Sequence, residues 1–176
     1  MFAEKVYYRI DWDRIPVENI LDKMVPMSDN LKRSSYRKYV LDYKTEVNFL
    51  KNWYVYQFSY KKLRGYLKEI ADDIGETFQP FIRFYYLPAG ETISLHRDEK
   101  TKCGVNFVKQ RDFSPITVDG VAYPHGAFLF DGQKLHGVDK CEEDRFTLQV
   151  GFSQPYEEVK WDLKDNGLLT EGYKQI

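Results

Sequence analysis

The chain has three histidines, His96, His125 and His136, and the first stands in the triplet His96-Arg97-Asp98. On an extended strand residues i and i+2 project from one face. His96 and Asp98 are therefore expected side by side, with Leu95 and Arg97 turned away. An imidazole and a carboxylate so placed are two of the three ligands of the 2-His-1-carboxylate facial triad of non-haem Fe(II) centres. Alone the triplet is weak evidence, because three His and 15 Asp in 176 residues yield about 0.26 such pairs by chance. A third ligand would be His125 or His136. His136 lies in LFDGQKLHGV, read as the return strand of a hairpin, whereas His125 between Pro124 and Gly126 reads as a turn tip. His136 is preferred because a strand holds a ligand more firmly than a loop. The alternative for His136 is a histidine at the core edge, satisfied by a neighbouring carbonyl.

Nine residues beyond His136 comes Arg145-Phe146-Thr147. Arg145 and Thr147 share strand parity and face one way, with Phe146 and Leu148 facing the other. A guanidinium aimed into an apolar interior is costly unless an anion meets it, and it is suited to a bidentate grip on a carboxylate. The competing reading is a surface ion pair with Glu142, Glu143 or Asp144. Upstream, Arg83 and Tyr85 share a face and could line the same cavity, or be a rim Arg and a core Tyr.

The second half of the sequence, which must position these residues, has the grammar of β structure. Phe81–Leu87, Ile93–Asp98, Cys103–Val108, Ile116–Val118 and RFTLQVGF over 145–152 read as strands. Asp119-Gly120 between ITV and VAY is a two-residue hairpin signal, and Asp131-Gly132 is read as a second one. In the first half, Val6–Trp12 reads as a strand and Pro16 opens a short helical pattern through Ile20, Leu21 and Met24. A clearer helix is expected from a Ser59 cap, with Leu63, Leu67, Ile70 and Ile74 on one face and Gly75 at its end. Residues 28–57 carry no firm assignment, and the tail after Pro155 reads as polar and external. About eight short strands after a helix suggest a sandwich or barrel.

Composition narrows the function. Lys and Arg total 26 against 27 Asp and Glu, a net charge of −1, which argues against a polybasic nucleic-acid binder. The Lys61-Lys62-Arg64 group reads as the solvated face of a helix. Aromatic residues make up 16%, which suits a sheet-rich protein. Cys103 and Cys141 form no CxxC and no secreted framework, and read as reduced thiols. No signal-peptide pattern and no membrane-spanning apolar run is present, so a cytoplasmic protein is expected. A single domain is expected, with support over 1–79, a core over 80–153 and an extension over 154–176.

Three segments together, LHRDEKTKCGVNF, LFDGQKLHGV and RFTLQVGF, resemble the core of the 2-oxoglutarate- and Fe(II)-dependent oxygenases. The likeness is greatest to the aspartyl/asparaginyl β-hydroxylase-like branch with its small phage and bacterial members. It covers roughly residues 80–153. The resemblance implies a mainly β double-stranded β-helix (a jelly-roll, cupin-like barrel) with N-terminal supporting helices. It implies that His96, Asp98 and His136 ligate Fe(II), that Arg145 binds the distal carboxylate of 2-oxoglutarate, and that Thr147 adds a hydroxyl donor. Asn106 falls where small members often carry an Asn, and is expected to touch cosubstrate or substrate or to serve the strand ladder. Tyr85 is a further candidate for the cavity lining. Lys102 occupies a region where some relatives carry Arg, which leaves its role open. The implied activity is a dioxygenase that consumes O2 and hydroxylates an aliphatic C–H of an amino acid, peptide side chain or other small molecule. 2-Oxoglutarate then leaves as succinate and CO2. Two readings from other classes compete: a divalent-metal hydrolase, which needs no Arg145, and a non-catalytic barrel, which would tolerate loss of any triad member.

Overall fold

The computed structural model describes residues 2–26, 53–110 and 113–171. Among these, strands β1 (Ala3–Lys5), β9 (Ala127–Asp131), β6 (Cys103–Val108), β11 (Arg145–Phe152), β4 (Phe81–Leu87), β3 (Tyr54–Phe58) and β2 (Val25–Pro26) form, in that order, an antiparallel sheet. A second antiparallel sheet runs β5 (Ile93–His96), β10 (His136–Val138), β7 (Ile116–Val118) and β8 (Val121–Tyr123). Three α-helices among the described residues accompany them, α1 (Val17–Lys23), α2 (Gly65–Gly75) and α3 (Tyr156–Asp165).

Strand parity divides the apolar residues into two cores. Ile82, Phe84, Leu148, Val150, Val105 and Phe107 leave the back of the larger sheet and pack on Ile70, Ala71 and Ile74 of α2 and Val159 and Leu163 of α3. Phe128, Phe130, Val108 and Leu87 leave its front and meet Ile116, Val118 and Val138 of the smaller sheet. Each such fully buried aliphatic or aromatic side chain contributes about 1.5–3 kcal/mol of transfer free energy. The site residues come from both sheets: Arg145 and Thr147 from the front of the larger one, and His96 and His136 from the smaller one, where His136 packs on Phe130 of the larger sheet.

The structure corrects four expectations. The N-terminal strand is Ala3–Lys5 and not Val6–Trp12. Val6 and Ile10 are buried as their spacing demands, yet the Tyr7 amide donates to Leu168 O at 2.7 Å instead of to a neighbouring strand. Ser59 caps no α-helix. It precedes a 3-10 turn over Tyr60–Lys62, and α2 starts only at Gly65, whose φ of 57° breaks the helical phase. Leu63 reaches the core from that break. The segment after Pro155 forms α3, and Tyr156, Val159 and Leu163 bury its inner face. The second Asp-Gly is no hairpin, because β9 and β10 belong to different sheets. The first Asp-Gly is one: Asp119 and Gly120 have φ of 49° and 81°, the signs that a type I′ turn requires. Of residues 28–57, Tyr54–Phe58 is a strand, and 28–52 lie outside the described residues.

Candidate metal centre

His96 ends β5 and His136 begins β10, and the two are directly paired across the ladder. Asp98 is not on the strand as expected, since β5 stops at His96. Its carboxylate reaches the histidines from the following loop, with Oδ1 at 3.5 Å from His96 Nε2 and 3.4 Å from His136 Nε2. The candidate ligand atoms of the three residues all lie within 4.8 Å of one another. The third histidine, His125, lies in the loop between β8 and β9 and takes no part in this cluster.

Backbone contacts the sequence reading did not anticipate hold the loop in place. The Asp98 amide donates to Gly132 O at 2.9 Å, and the Gly132 amide donates to Lys102 O at 3.0 Å. Gln133 Nε2 donates to Asp98 O at 3.0 Å and Thr101 O at 3.3 Å. The Asp-Gly-Gln segment read as a hairpin is thus the clamp on the carboxylate loop. Gly132 is required there: a Cβ would stand 2.7 Å from Asp98 Oδ2. Gly137 is required too, because a Cβ would stand 2.5 Å from Ile93 O, at the register shift where β5 pairs with β10. Asp131-Gly132 was the available signal, and its composition reads as a hairpin turn; Gly137, beside His136 on a strand as expected, offers no local signal for its close packing.

The donor set fits a divalent cation. Nδ1 of His96 bonds to Ser94 O and Nδ1 of His136 to Lys134 O, both at 2.8 Å. A carbonyl only accepts, so each Nδ1 carries the proton and each neutral imidazole presents a lone pair at Nε2. Two lone pairs and a carboxylate oxygen then face one another, an arrangement that calls for a cation or extra protons. The electrostatics agree. Burial alone would raise the Asp98 carboxyl, but the imidazoles of His136 and His96 outweigh it and hold it far below the usual carboxylate range. Burial works against charge on His136, and the Asp98 carboxylate overrides it and raises the imidazole. Both rings are packed on aromatics, with Trp53 centred 5.4 Å from His96 and Phe130 5.0 Å from His136.

Arg145 and Thr147 are buried on the front face of β11, 5% and 4% exposed. The surface ion pair is not formed: among the described residues no carboxylate pairs with Arg145, and Asp144 Oδ1 instead accepts from the Ala89 amide at 2.9 Å. Nη1 of Arg145 donates to Ser114 O, and the guanidinium lies 5.7 Å from the Phe113 ring centre. Burial lowers its pKa, with the Cys141 thiol beside it acting in the opposite sense. A buried guanidinium with no counter-ion costs several kcal/mol, on the order of the penalty for a broken buried pair, and a ligand carboxylate would offset it. Asn106 is buried and accepts from Gln149 Nε2 at 2.9 Å. Tyr85 lies beside Trp53, and burial first, then the Asp98 charge, raises its phenol against the opposing pull of Arg83. Lys102 is half-buried, and its backbone joins the clamp.

No protein-family model matches the sequence, and no curated protein matches it. Among solved structures, a prolyl-4-hydroxylase from Pseudomonas putida superposes with a TM-score of 0.52 at 14% identity, over 86% of this chain and 91% of that one. The fold is a jelly-roll double-stranded β-helix. A 2-oxoglutarate-Fe(II) oxygenase family protein from Burkholderia pseudomallei gives 0.43 at 13% identity, over 58% and 67%. An RmlC-like cupin from Desulfovibrio desulfuricans gives 0.34 at 19% identity, over 42% and 72%. No helix among the described residues is long and apolar enough to cross a membrane.

Proposed function

We propose that the protein is an Fe(II)- and 2-oxoglutarate-dependent dioxygenase that hydroxylates an aliphatic C–H of an amino acid, a peptide side chain or another small molecule. What supports the reading is a pair of features between the two sheets: His96, Asp98 and His136 converge at the smaller sheet as a set that could hold a metal, and β11 of the larger sheet carries the buried Arg145, which has no carboxylate partner among the described residues. A hydrolytic metal site needs only the first of these.

His96, Asp98 and His136 would hold the metal, which supplies oxygen activation coupled to oxidative decarboxylation of the cosubstrate when bound. The chain's own contribution is orientation and exclusion of water. The carbonyls of Ser94 and Lys134 fix both imidazoles in the tautomer that offers Nε2. Arg145 would grip the distal carboxylate of 2-oxoglutarate, with the Thr147 hydroxyl as an added donor. Trp53 and Phe130 cover the rings from the side and lower the local dielectric.

The test is succinate release by the iron-loaded protein against a panel of free amino acids and short peptides. A panel member that stimulates succinate and gains one oxygen atom by mass supports the reading. Metal-dependent hydrolysis without oxygen uptake would replace it, and full turnover by His136→Ala would sink the ligand assignment.

A further inference from the structure

The front face of the larger sheet carries a run of polar side chains that neither the triad nor Arg145 uses. Strand register sets Arg83, Gln149 and Asn106 in one row across β4, β11 and β6, with Tyr85 one inward position along β4. Arg83 Nη1 donates to the Tyr85 hydroxyl at 2.8 Å, the hydroxyl donates to Gln149 Oε1 at 3.2 Å, and Gln149 Nε2 donates to Asn106 Oδ1 at 2.9 Å. Arg83 is itself anchored, its Nε donating to Gln57 Oε1 at 2.7 Å. The Gln149 side chain lies flat over Gly104, where a Cβ would stand 2.9 Å from Nε2.

The direction of this run follows from the chemistry of its first member. A guanidinium has donors and no acceptor, so the Tyr85 oxygen accepts from Arg83 and its single proton goes onward. That proton needs an acceptor, which turns Gln149 Oε1 toward Tyr85 and the Gln149 NH2 toward Asn106. Asn106 then receives at Oδ1, which leaves its own NH2 as the donor at the end of the run. The run lies beside the triad. The Trp53 ring is centred 5.9 Å from Tyr85 and 5.4 Å from His96. Gly104 pairs with Phe130, whose ring is 5.0 Å from that of His136.

We propose that Arg83 is a positioning residue that acts through Tyr85 and Gln149 to hold Asn106 as a hydrogen-bond donor toward a carboxylate or carbonyl oxygen of a ligand at the metal centre. This rests on the proposed function, and the oxygen belongs either to the 2-oxo acid or to the primary substrate. Without Arg83 the Tyr85 hydroxyl can accept from Gln149, both amides can turn over, and Asn106 then presents an acceptor where the ligand also has one.

Calorimetric titration of the Mn(II)-loaded full chain with 2-oxoglutarate tests this, comparing wild type with Arg83→Met, Arg83→Lys, Asn106→Ala and Arg83→Met/Asn106→Ala. A parallel arm titrates the 2-oxoglutarate-saturated protein with the amino acid that best stimulates succinate release. Arg83→Met should weaken binding about tenfold, the loss expected when a buried donor is replaced by a mismatched acceptor. Arg83→Lys, which also only donates, should largely restore it. In the Asn106→Ala background the same Arg83→Met change should cost less than about twofold, because the residue it acts through is gone. Weakening in the first arm assigns the oxygen to the 2-oxo acid, and weakening confined to the second assigns it to the substrate. No weakening in either arm, or equal weakening with and without Asn106, overturns the relay. Should Arg83→Met fail to fold, Tyr85→Phe interrupts the run at its second member, and the same two criteria apply to it. Wild type that binds no 2-oxoglutarate would instead refute the proposed function, so the two failures are distinguishable.

Discussion

Gly132→Ala places a methyl group against the carboxylate that joins the two histidines. The added Cβ would sit 2.7 Å from Asp98 Oδ2, 3.0 Å from Thr101 O and 3.3 Å from Lys102 O. Ordinary contact begins near 3.4 Å, so Asp98 must retreat by about 0.7 Å. Retreat is resisted, because the Asp98 amide is bonded to Gly132 O and the Gly132 amide to Lys102 O. Metal–ligand distances tolerate only about ±0.2 Å, and loss of a comparable supporting contact costs about 10–100-fold in metal affinity. That corresponds to about 1.4–2.7 kcal/mol, beside an overpacking cost of about 1–3 kcal/mol in the metal-free protein. Mn(II) affinity by calorimetry reads the first figure, and thermal unfolding without metal reads the second. Gly90→Ala is the control: its φ of 86° makes alanine strained, but a Cβ there meets nothing within 4 Å. It should lower stability and leave Mn(II) affinity unchanged. Wild-type Mn(II) affinity in a folded Gly132→Ala protein would refute the clamp and the role assigned to Asp98.

Three further outcomes are expected. Gly137→Ala drives a Cβ toward Ile93 O, so it should part β5 from β10 and lower Mn(II) affinity at least tenfold, of the order seen when supporting contacts are lost. Arg145→Ala should raise the 2-oxoglutarate concentration for half-maximal succinate release far more than it lowers the maximal rate, with Mn(II) affinity unchanged; equal loss of both would contradict an anion-binding role. Cys103 and Cys141 are both buried, and burial chiefly raises the Cys103 thiol. Neither should react with an aromatic disulfide reagent in minutes in the folded protein, while both should react at once in guanidinium; rapid labelling in native buffer would contradict that packing.

The late strands were legible because their residues obey a period of two and are bounded by turn residues. Cys103–Val108, Phe81–Leu87 and Arg145–Phe152 stand where the sequence pattern places them. The front-face parity of Arg145 and Thr147 was legible for the same reason. What failed depends on partners distant in sequence. His96 and Asp98 do meet, but by a loop that Gly132 and Gln133 hold, and no local spacing encodes that. Asp131-Gly132 has the composition of a hairpin turn, yet β9 finds β1 and β6 while β10 finds β5 and β7. Tertiary pairing overrides the turn signal there. Leu63 and Ile74 share an apolar period, but Gly65 breaks it, leaving Leu63 in extended backbone after the 3-10 turn and Ile74 in the helix. The polar relay from Arg83 to Asn106 is half visible in strand parity, which sets Arg83 with Tyr85; Gln149 joins it only through the pairing of β11 with β4 and β6, which no local pattern encodes.

Under the proposed function, His96, Asp98 and His136 hold Fe(II) in a form that takes up 2-oxoglutarate. Anaerobic titration of the protein with one equivalent of Fe(II) and then 2-oxoglutarate, followed by visible absorbance, tests it most directly. The expected result is a weak charge-transfer band that saturates at one 2-oxoglutarate per chain, is bleached by oxygen with release of succinate, and is absent from His136→Ala. An unchanged spectrum with tightly bound Fe(II), or an identical band in His136→Ala, would contradict it.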